Sequence, residues 1–443
     1  MSDIKKGNYS SWQEEYKAKL CTAEDAAKTI QSNDRIGLGG GTCIPPAFST
    51  AISKRAGEIK DVLISLGLAF GLYDFMKPEN KESFTIETMF VGPMERICLD
   101  WKTAHYIPSH LLDVPAYGLS RKFTHLGTVA SPPDENGYMC RSLFGSFFSK
   151  ELIKRADKMV VEVNKNMPRI NTEDFMIHVS EVDYIIENDT PIFELPNIPI
   201  TETEEKIAAY IAEMIPNDST IQIGIGGLAN AVTHLLLDKK NLGIHTELAV
   251  PSIMELMKAG VVNGSKKNFM PNQAVAAFAL GTKDFYKFID GNKDFLFKDI
   301  SFTNDPLIIG KNDNLISINN ALMIDLTGQV ASESIGIKQY SGTGGQVNFV
   351  NGAKYSKGGK SIIALNSTYV DKEGKIQSKV LSTLPQGTIV STSRNDVEYI
   401  ITEYGVANLR YKNMTDRIRT LINIAHPDFR DKLKNDAKRN NWL

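Results

Sequence analysis

Short apolar runs recur along the chain, separated by stretches in which apolar positions return every three to four residues. Arg35–Gly39, Val62–Leu66, Met159–Val163, Thr220–Ile225, Ser361–Leu365, Thr388–Thr392 and Tyr399–Thr402 read as buried strands. Thr22–Gln31 reads as a helix with Thr22 as its N-cap and Asp25 three residues on, and Asn33-Asp34 turns the chain into the first strand. Met414–Ile424 has helical spacing with arginines at exposed positions, and stops at Ala425-His426-Pro427. The tail Asp431–Leu443, rich in Lys and Asn, reads as an exposed helix end. Strands alternating with helices predict the α/β class with parallel sheets.

Periodicity breaks at Glu187–Thr203, where Pro191, Pro196 and Pro199 stand among turn formers. This is the expected interdomain linker, dividing the 443 residues into 1–190 and 191–443. Each half opens alike, with a helix, an Asn-Asp turn and a short apolar strand running into glycines: Asn33-Asp34-Arg35-Ile36-Gly37-Leu38-Gly39-Gly40, and Asn217-Asp218-Ser219-Thr220-Ile221-Gln222-Ile223-Gly224-Ile225-Gly226-Gly227. Two related α/β domains are the simplest account.

Composition narrows the function. Fifty Lys and Arg against 52 Asp and Glu leave a formal charge of -2, so no overall field holds a polyanion, and a nucleic-acid partner is not expected. Cys21, Cys43, Cys98 and Cys140 are far apart and outside any zinc-ligand spacing, which predicts reduced thiols and no metal. Met1–Gly7 leads into polar sequence with no signal-peptide core, so a cytoplasmic location is expected. The uncharged run Ser219–Leu237 contains Gln222, three glycines, Asn230 and His234; it reads as strand, turn and helix, with no membrane partner.

Four loops are candidates for chemistry. Gly224-Ile225-Gly226-Gly227-Leu228 stands where a strand becomes a helix, so backbone N–H groups are offered to an anion; a tight packing turn is the plainer alternative. Gly37-x-Gly39-Gly40-Gly41 resembles a dinucleotide fingerprint, but Thr42 replaces the third glycine, Pro45-Pro46 follow, and no acidic residue closes the next strand. Gly243-Ile244-His245-Thr246-Glu247 presents a carboxylate able to act as base, metal ligand, ion-pair partner or nucleophile, a solvated or paired Glu being the plainer alternative, while structural or supporting roles are expected for His245 and His234. Tyr340–Phe349 is a further glycine loop followed by Lys354, Lys357 and Lys360, without the Walker order.

These segments together resemble the acetyl-CoA hydrolase/transferase family, in its 4-hydroxybutyrate and butyrate CoA-transferase branch. The matching stretches, spread over nearly the whole chain, include Val129–Gly137, Val161–Pro168, Gly224–Gly226, Gly243–Glu247, Ser341–Phe349, Thr402–Ala407 and Ile424–Arg430. The resemblance implies two related open α/β domains of the NagB/RpiA/CoA-transferase type with mostly parallel sheets and an active site between them. It implies ping-pong transfer of CoA between short-chain acyl-CoA and acetate or another small carboxylate, through a thioester on Glu247.

By the same resemblance, Gly342 and Gly345 border the oxyanion or the pantetheine arm. Gly224, Ile225, Gly226, Gly227, Leu228, Asn319 and Lys360 would contact CoA. Gln346, Tyr106 and Pro108 are candidates for the acid pocket, with ordinary packing the alternative for each. The sequence departs from the branch at Leu248–Pro251 and at Asn348, where Asp is usual. No tightly bound cofactor is expected, CoA and acyl-CoA being substrates, and the partners implied are small carboxylic acids and further copies in a homodimer or larger assembly. The alternatives are an acyl-CoA hydrolase using the same Glu247 and a non-catalytic CoA-binding protein.

Overall fold

The computed structural model describes residues 9–196 and 198–443. The polar stretch Met1–Gly7 lies outside the described residues. The chain forms two compact units: one takes residues up to Leu195 together with Ala277–Phe302, the other Pro196–Ala276 together with Thr303–Leu443.

The first unit is a seven-stranded sheet in the order β4-β3-β2-β1-β5-β6-β7. Its strands are β1 (Arg35–Gly40), β2 (Val62–Gly67), β3 (Phe84–Thr88), β4 (Ala104–Tyr106), β5 (His125–Ala130), β6 (Lys158–Val163) and β7 (Tyr184–Glu187). Every neighbouring pair is parallel. Parallel strands must return through crossovers that cover both faces, which is why they read as continuous apolar runs. Ile36, Leu38, Val62, Ile64 and Ile86 are buried in one core with Phe48. Phe48 lies on α2 (Pro46–Ser53), which follows the short α1 (Ala23–Ala27) capped by Thr22. The Glu162 carboxylate on β6 accepts from the backbone N–H groups of Ala47 and Phe48 and from the Asn188 amide, so it closes the first turn of α2.

The excursion Ala277–Phe302 is tied into this unit by hydrogen bonds. Arg169 N donates to Asp290, Asn171 donates to the Phe295 carbonyl at 2.6 Å, and Lys298 pairs with Asp174 at 3.0 Å.

Six strands of the second unit follow the order β9-β8-β10-β11-β12-β13. They are β8 (Thr220–Gln222), β9 (Gly243–Ala249), β10 (Leu315–Asn320), β11 (Lys360–Ala364), β12 (Tyr399–Thr402) and β13 (Gly405–Asn408). All pair in parallel except β12 with β13, which form an antiparallel hairpin. The helices that concern the site are α3 (Glu202–Glu213), α4 (Gly227–Leu235) and α5 (Gln346–Tyr355). The helix predicted at Met414–Ile424 is present as α6, and α7 (Pro427–Arg439) follows at once, starting four residues before the predicted tail. Their apolar faces, with Ile418, Leu421 and Leu433, join Ile363, Ile400 and Val350 in the core.

In both units the first strand of the sheet sits where the chain reverses direction across the sheet. β1 lies between β2 and β5, and β8 between β9 and β10. Ligands of open α/β sheets bind outside the carboxyl ends of strands at such reversals; the first glycine run forms the carboxyl end of β1 and the second follows β8. They differ in purpose. A Cβ on Gly40 would overlap the Phe147 ring and one on Gly41 the Phe144 ring, so the first run is demanded by aromatic packing.

One predicted strand is absent. Thr388–Thr392 is an irregular segment in which Thr392 alone bridges Val330, and Ile389 and Val390 are largely exposed. An apolar run becomes a strand only when a neighbour pairs along its length, and here the backbone pairing is confined to Val330, whose carbonyl accepts from Ser391 and Thr392.

Candidate active site

Glu247 stands near the carboxyl end of β9. Its Oε2 accepts a 2.7 Å hydrogen bond from Asn304 Nδ2. Desolvation pushes the Glu247 carboxyl up from 4.5 to about 7, against the lowering effect of that bond. Asn304 itself is fully buried, and its Oδ1 has no hydrogen-bond partner among the described residues.

Gly345 forms the other wall. It precedes α5 as its N-cap, with an ordinary backbone (φ -97°), and the preceding Gly344 makes the turn at φ +61°. A Cβ at 345 would overlap Glu247 Oε2 and come within 2.5 Å of Asn304 Nδ2. Only glycine leaves room for the carboxylate in this position. The loop before it is tethered to Glu333: the backbone N–H groups of Tyr340 and Ser341 donate to its carbonyl, and Thr343 Oγ1 and Ser391 Oγ donate to its carboxylate. Gly342 is buried within this loop.

The Gly224–Leu228 turn separates into two parts. A Cβ built on Gly224 or Gly226 meets nothing within 4 Å, and Ile225 between them is 41% exposed, so this stretch of backbone is open to a ligand. Gly226 has φ +112°, which glycine adopts readily, and it caps α4 without any side-chain bond to the first-turn N–H groups. Gly227 faces the protein: a Cβ there would lie 2.5 Å from the Glu204 carboxylate. Glu204 forms the capping box of α3 with Thr201. Leu228 is buried.

Asn319, at the carboxyl end of β10, donates to Gln222 Oε1 at 3.2 Å and to Ser317 Oγ at 2.8 Å. Gln222 also accepts from Ile318 N and donates to the Ile318 carbonyl, so this amide cluster fastens β8 to β10 just before the Gly224 turn. Lys360 is elsewhere. It opens β11 at the level of Ile316, which is level with Ile221 and Ile244. That places it three residues short of Glu247 along the strand direction and three strands across, roughly 17 Å away at standard sheet spacings. Its ammonium donates to the Met214 carbonyl at 2.9 Å.

Of the acid-pocket candidates, Gln346 is spent on packing: it accepts from Ser332 and Thr392 and donates to the Asn320 carbonyl. Tyr106 ends the edge strand β4 of the first unit, and Pro108 follows it. His234 is a surface residue 3.8 Å from Glu255, whereas His245 is fully buried. Sequence reasoning missed Asn304 and Glu333. Among the described residues, no group of three or more His, Cys, Asp or Glu stands together as a metal site, and no helix is long and apolar enough to cross a membrane.

The arrangement is a desolvated carboxylate, held by one amide against a glycine backbone at the end of a parallel strand. Known proteins are similar to this chain over nearly its full length. The acetyl-CoA hydrolase/transferase N-terminal domain matches residues 1–195, and the C-terminal domain of the same family matches 281–437. The chain belongs to the acetyl-CoA hydrolase/transferase family. Within it, the 4-hydroxybutyrate coenzyme A transferase of Clostridium kluyveri is 40% identical over 97% of this chain and 99% of that one. The butyryl-CoA:acetate CoA-transferase of Anaerostipes caccae is 38% identical over 97% and 98%. Among solved structures, the 4-hydroxybutyrate CoA-transferase of Porphyromonas gingivalis superposes with a TM-score of 0.82 at 32% identity, covering 97% of this chain and 100% of that one. As an enzyme, this family member stands with the CoA-transferases.

Proposed function

We propose that the enzyme moves CoA between a short-chain acyl-CoA, of the 4-hydroxybutyryl or butyryl kind, and acetate or another small carboxylate, with Glu247 as covalent nucleophile. The observation that carries this reading is the Glu247 carboxylate, desolvated and braced by Asn304 against Gly345. The substrate class rests on the names of the two full-length relatives.

The chemistry runs in two halves. One Glu247 oxygen attacks the thioester carbonyl, the C–S bond breaks, and CoA leaves as thiolate from a mixed anhydride. The thiolate then adds to the Glu247 carbonyl and expels the donor carboxylate, leaving CoA on the enzyme as a glutamyl thioester. An acceptor carboxylate reverses both steps. With its pKa near 7, Glu247 is substantially ionised at neutral pH, and poor solvation leaves that anion reactive. Each addition develops an oxyanion, for which N–H groups of the Gly342–Gly345 loop are the proposed donors, at about 2.7–4 kcal/mol each. The open backbone at Gly224–Gly226, with Leu228 and Asn319 behind it, is the proposed border for CoA; binding remote from the reacting carbon drives attack by a modest nucleophile. The same reading makes CoA and acyl-CoA substrates, with no tightly bound cofactor, and the enzyme a cytoplasmic homo-oligomer.

The test is intact mass after brief exposure to butyryl-CoA without acceptor, followed by peptide mapping, on wild type and Glu247→Ala. A CoA-sized adduct on the Glu247 peptide, discharged by acetate and missing from the variant, is expected. An adduct at another residue, or thiol release that needs no acceptor and passes through no adduct, would overturn the reading.

A further inference from the structure

Both supports of the Glu247 carboxylate lead back to one buried ring. His245 lies two residues before Glu247 on β9, hence on the same face of the strand, and is fully buried. Its Nε2 lies 2.9 Å from the Thr303 carbonyl. A carbonyl only accepts, so Nε2 carries the proton. Its Nδ1 lies 3.3 Å from Asn312 Nδ2, which donates to it and to the Ile309 carbonyl. Thr303 directly precedes Asn304, the donor to Glu247. The imidazole edge also packs against Phe349, with ring centroids 6.4 Å apart. Phe349 N donates to the Gly345 carbonyl in the first turn of α5.

We propose that His245 is a positioning residue for CoA transfer: it holds Asn304 through Thr303 and Gly345 through Phe349, so that the two walls of the Glu247 carboxylate keep a common reference. The proposal rests on Glu247 being the nucleophile. The ring works as a neutral tautomer. Burial first, then the positive charge of Lys267, push its pKa from 6.5 down to about 3. Lys267 is the charged neighbour, its ammonium bonded to the Ile244 and Gln273 carbonyls, and its own pKa is lowered to about 7 by burial. A cationic ring here would stabilise the Glu247 anion and blunt it as a nucleophile. A permanently neutral ring supplies position without charge.

The experiment compares His245→Leu, His245→Gln and Glu247→Ala in the full-length enzyme, reading kcat, KM for acyl-CoA, the acid limb of the kcat profile, and Tm. Gln places an amide N–H near the former Nε2 and so preserves the bond to Thr303. His245→Leu is expected to lower kcat by about 10²-fold, the usual cost of a misplacement near 1 Å. Its KM should stay within a few-fold, and its acid limb should move to higher pH because Asn304 no longer supports the anion. His245→Gln should recover most of the loss in kcat. Folded His245→Leu with wild-type kcat and acid limb overturns the proposal, as does a His245→Gln no better than Leu. If the Leu variant does not fold, Asn312→Ala, which frees the ring without removing it, must give the same split of lowered kcat and steady KM, and its failure to do so overturns the proposal equally. Glu247→Ala separates the two readings: its full activity defeats the nucleophile assignment, whereas an inactive Glu247→Ala beside a wild-type-like His245→Leu defeats only the positioning role.

Discussion

Glu247 and Gly345 occupy space that no third atom can share: a methyl group on residue 345 would overlap Glu247 Oε2. Because the Gly345 backbone is itself unstrained, Gly345→Ala should fold normally and displace the carboxylate and the Asn304 amide beside it. The expected result is a loss of kcat of about 10²-fold with Tm nearly unchanged, read by steady-state kinetics and calorimetry. Wild-type kcat in this variant would show that the carboxylate works from another rotamer.

Asn304 is the amide that favours the charged form of Glu247. Asn304→Ala removes that bond, so the Glu247 pKa rises further and the acid limb of the kcat profile shifts to higher pH. A hydrogen bond to a charged group is worth about 1.5–3 kcal/mol, which predicts roughly a ten- to hundredfold loss at pH 7 and a smaller one at pH 9. An equal loss at both pH values would contradict this account.

Stability should depend on Glu247 in the opposite sense to activity. Its folded pKa, about 7, lies above the unfolded value of 4.5, so the folded state binds the proton more tightly. The Glu247 contribution to stability is fully present below pH 4.5 and is lost as pH rises through about 7, by at most about 3 kcal/mol. Glu247→Gln carries no such loss. Its Tm advantage over wild type should grow between pH 4.5 and 7 and level off above, in thermal melts across that range. A pH-independent difference would mean the carboxylate is better solvated than its surroundings suggest.

How much of this was readable in the chain can be judged from particular residues. β1, β2, β6, β11 and β12 lie within a residue of their predicted bounds because glycines, charges and turns punctuate them on both sides. β3, with the alternating Phe84-Thr85-Ile86-Glu87-Thr88, and β10, ending in Asn319-Asn320, carry too much polar sequence to announce themselves as buried strands. Glu247 stands out through its motif, not through any property of a lone glutamate. Asn304 is 57 residues from Glu247, in a polar stretch resembling any surface turn, and only the tertiary fold gives it meaning. The excursion Ala277–Phe302 has helix and strand patterns like its neighbours, so nothing local reveals which unit receives it.

The glycines of the 224–228 turn should separate by function. Gly224→Ala meets no neighbour, so fold and Tm are expected to hold while KM for acyl-CoA rises as the methyl group enters the open face. Gly227→Ala meets the Glu204 carboxylate and should cost about 1–3 kcal/mol of stability by denaturant melts, with KM unchanged in the folded fraction. The reverse assignment of effects would move the CoA border to the Gly227 side.

Lys360→Met should leave KM for acyl-CoA unchanged, since its ammonium serves the Met214 carbonyl. The loss is one charge-assisted bond, about 1.5–3 kcal/mol in a denaturant melt. A large rise in KM would show that the ammonium leaves Met214 to meet CoA.

The route of the chain between its two units also governs its birth. The first unit needs Arg169 to find Asp290, Asn171 to find Phe295 and Asp174 to find Lys298. These partners leave the ribosome roughly a hundred residues after Leu195, some 5–20 s later at ordinary rates of synthesis. During that interval the nascent amino-terminal portion waits with an uncovered flank while part of the next unit emerges. A gene split at Leu195 therefore would not divide the protein into two self-sufficient pieces, and reassembly from such fragments would require the second to deliver a segment that belongs to the first.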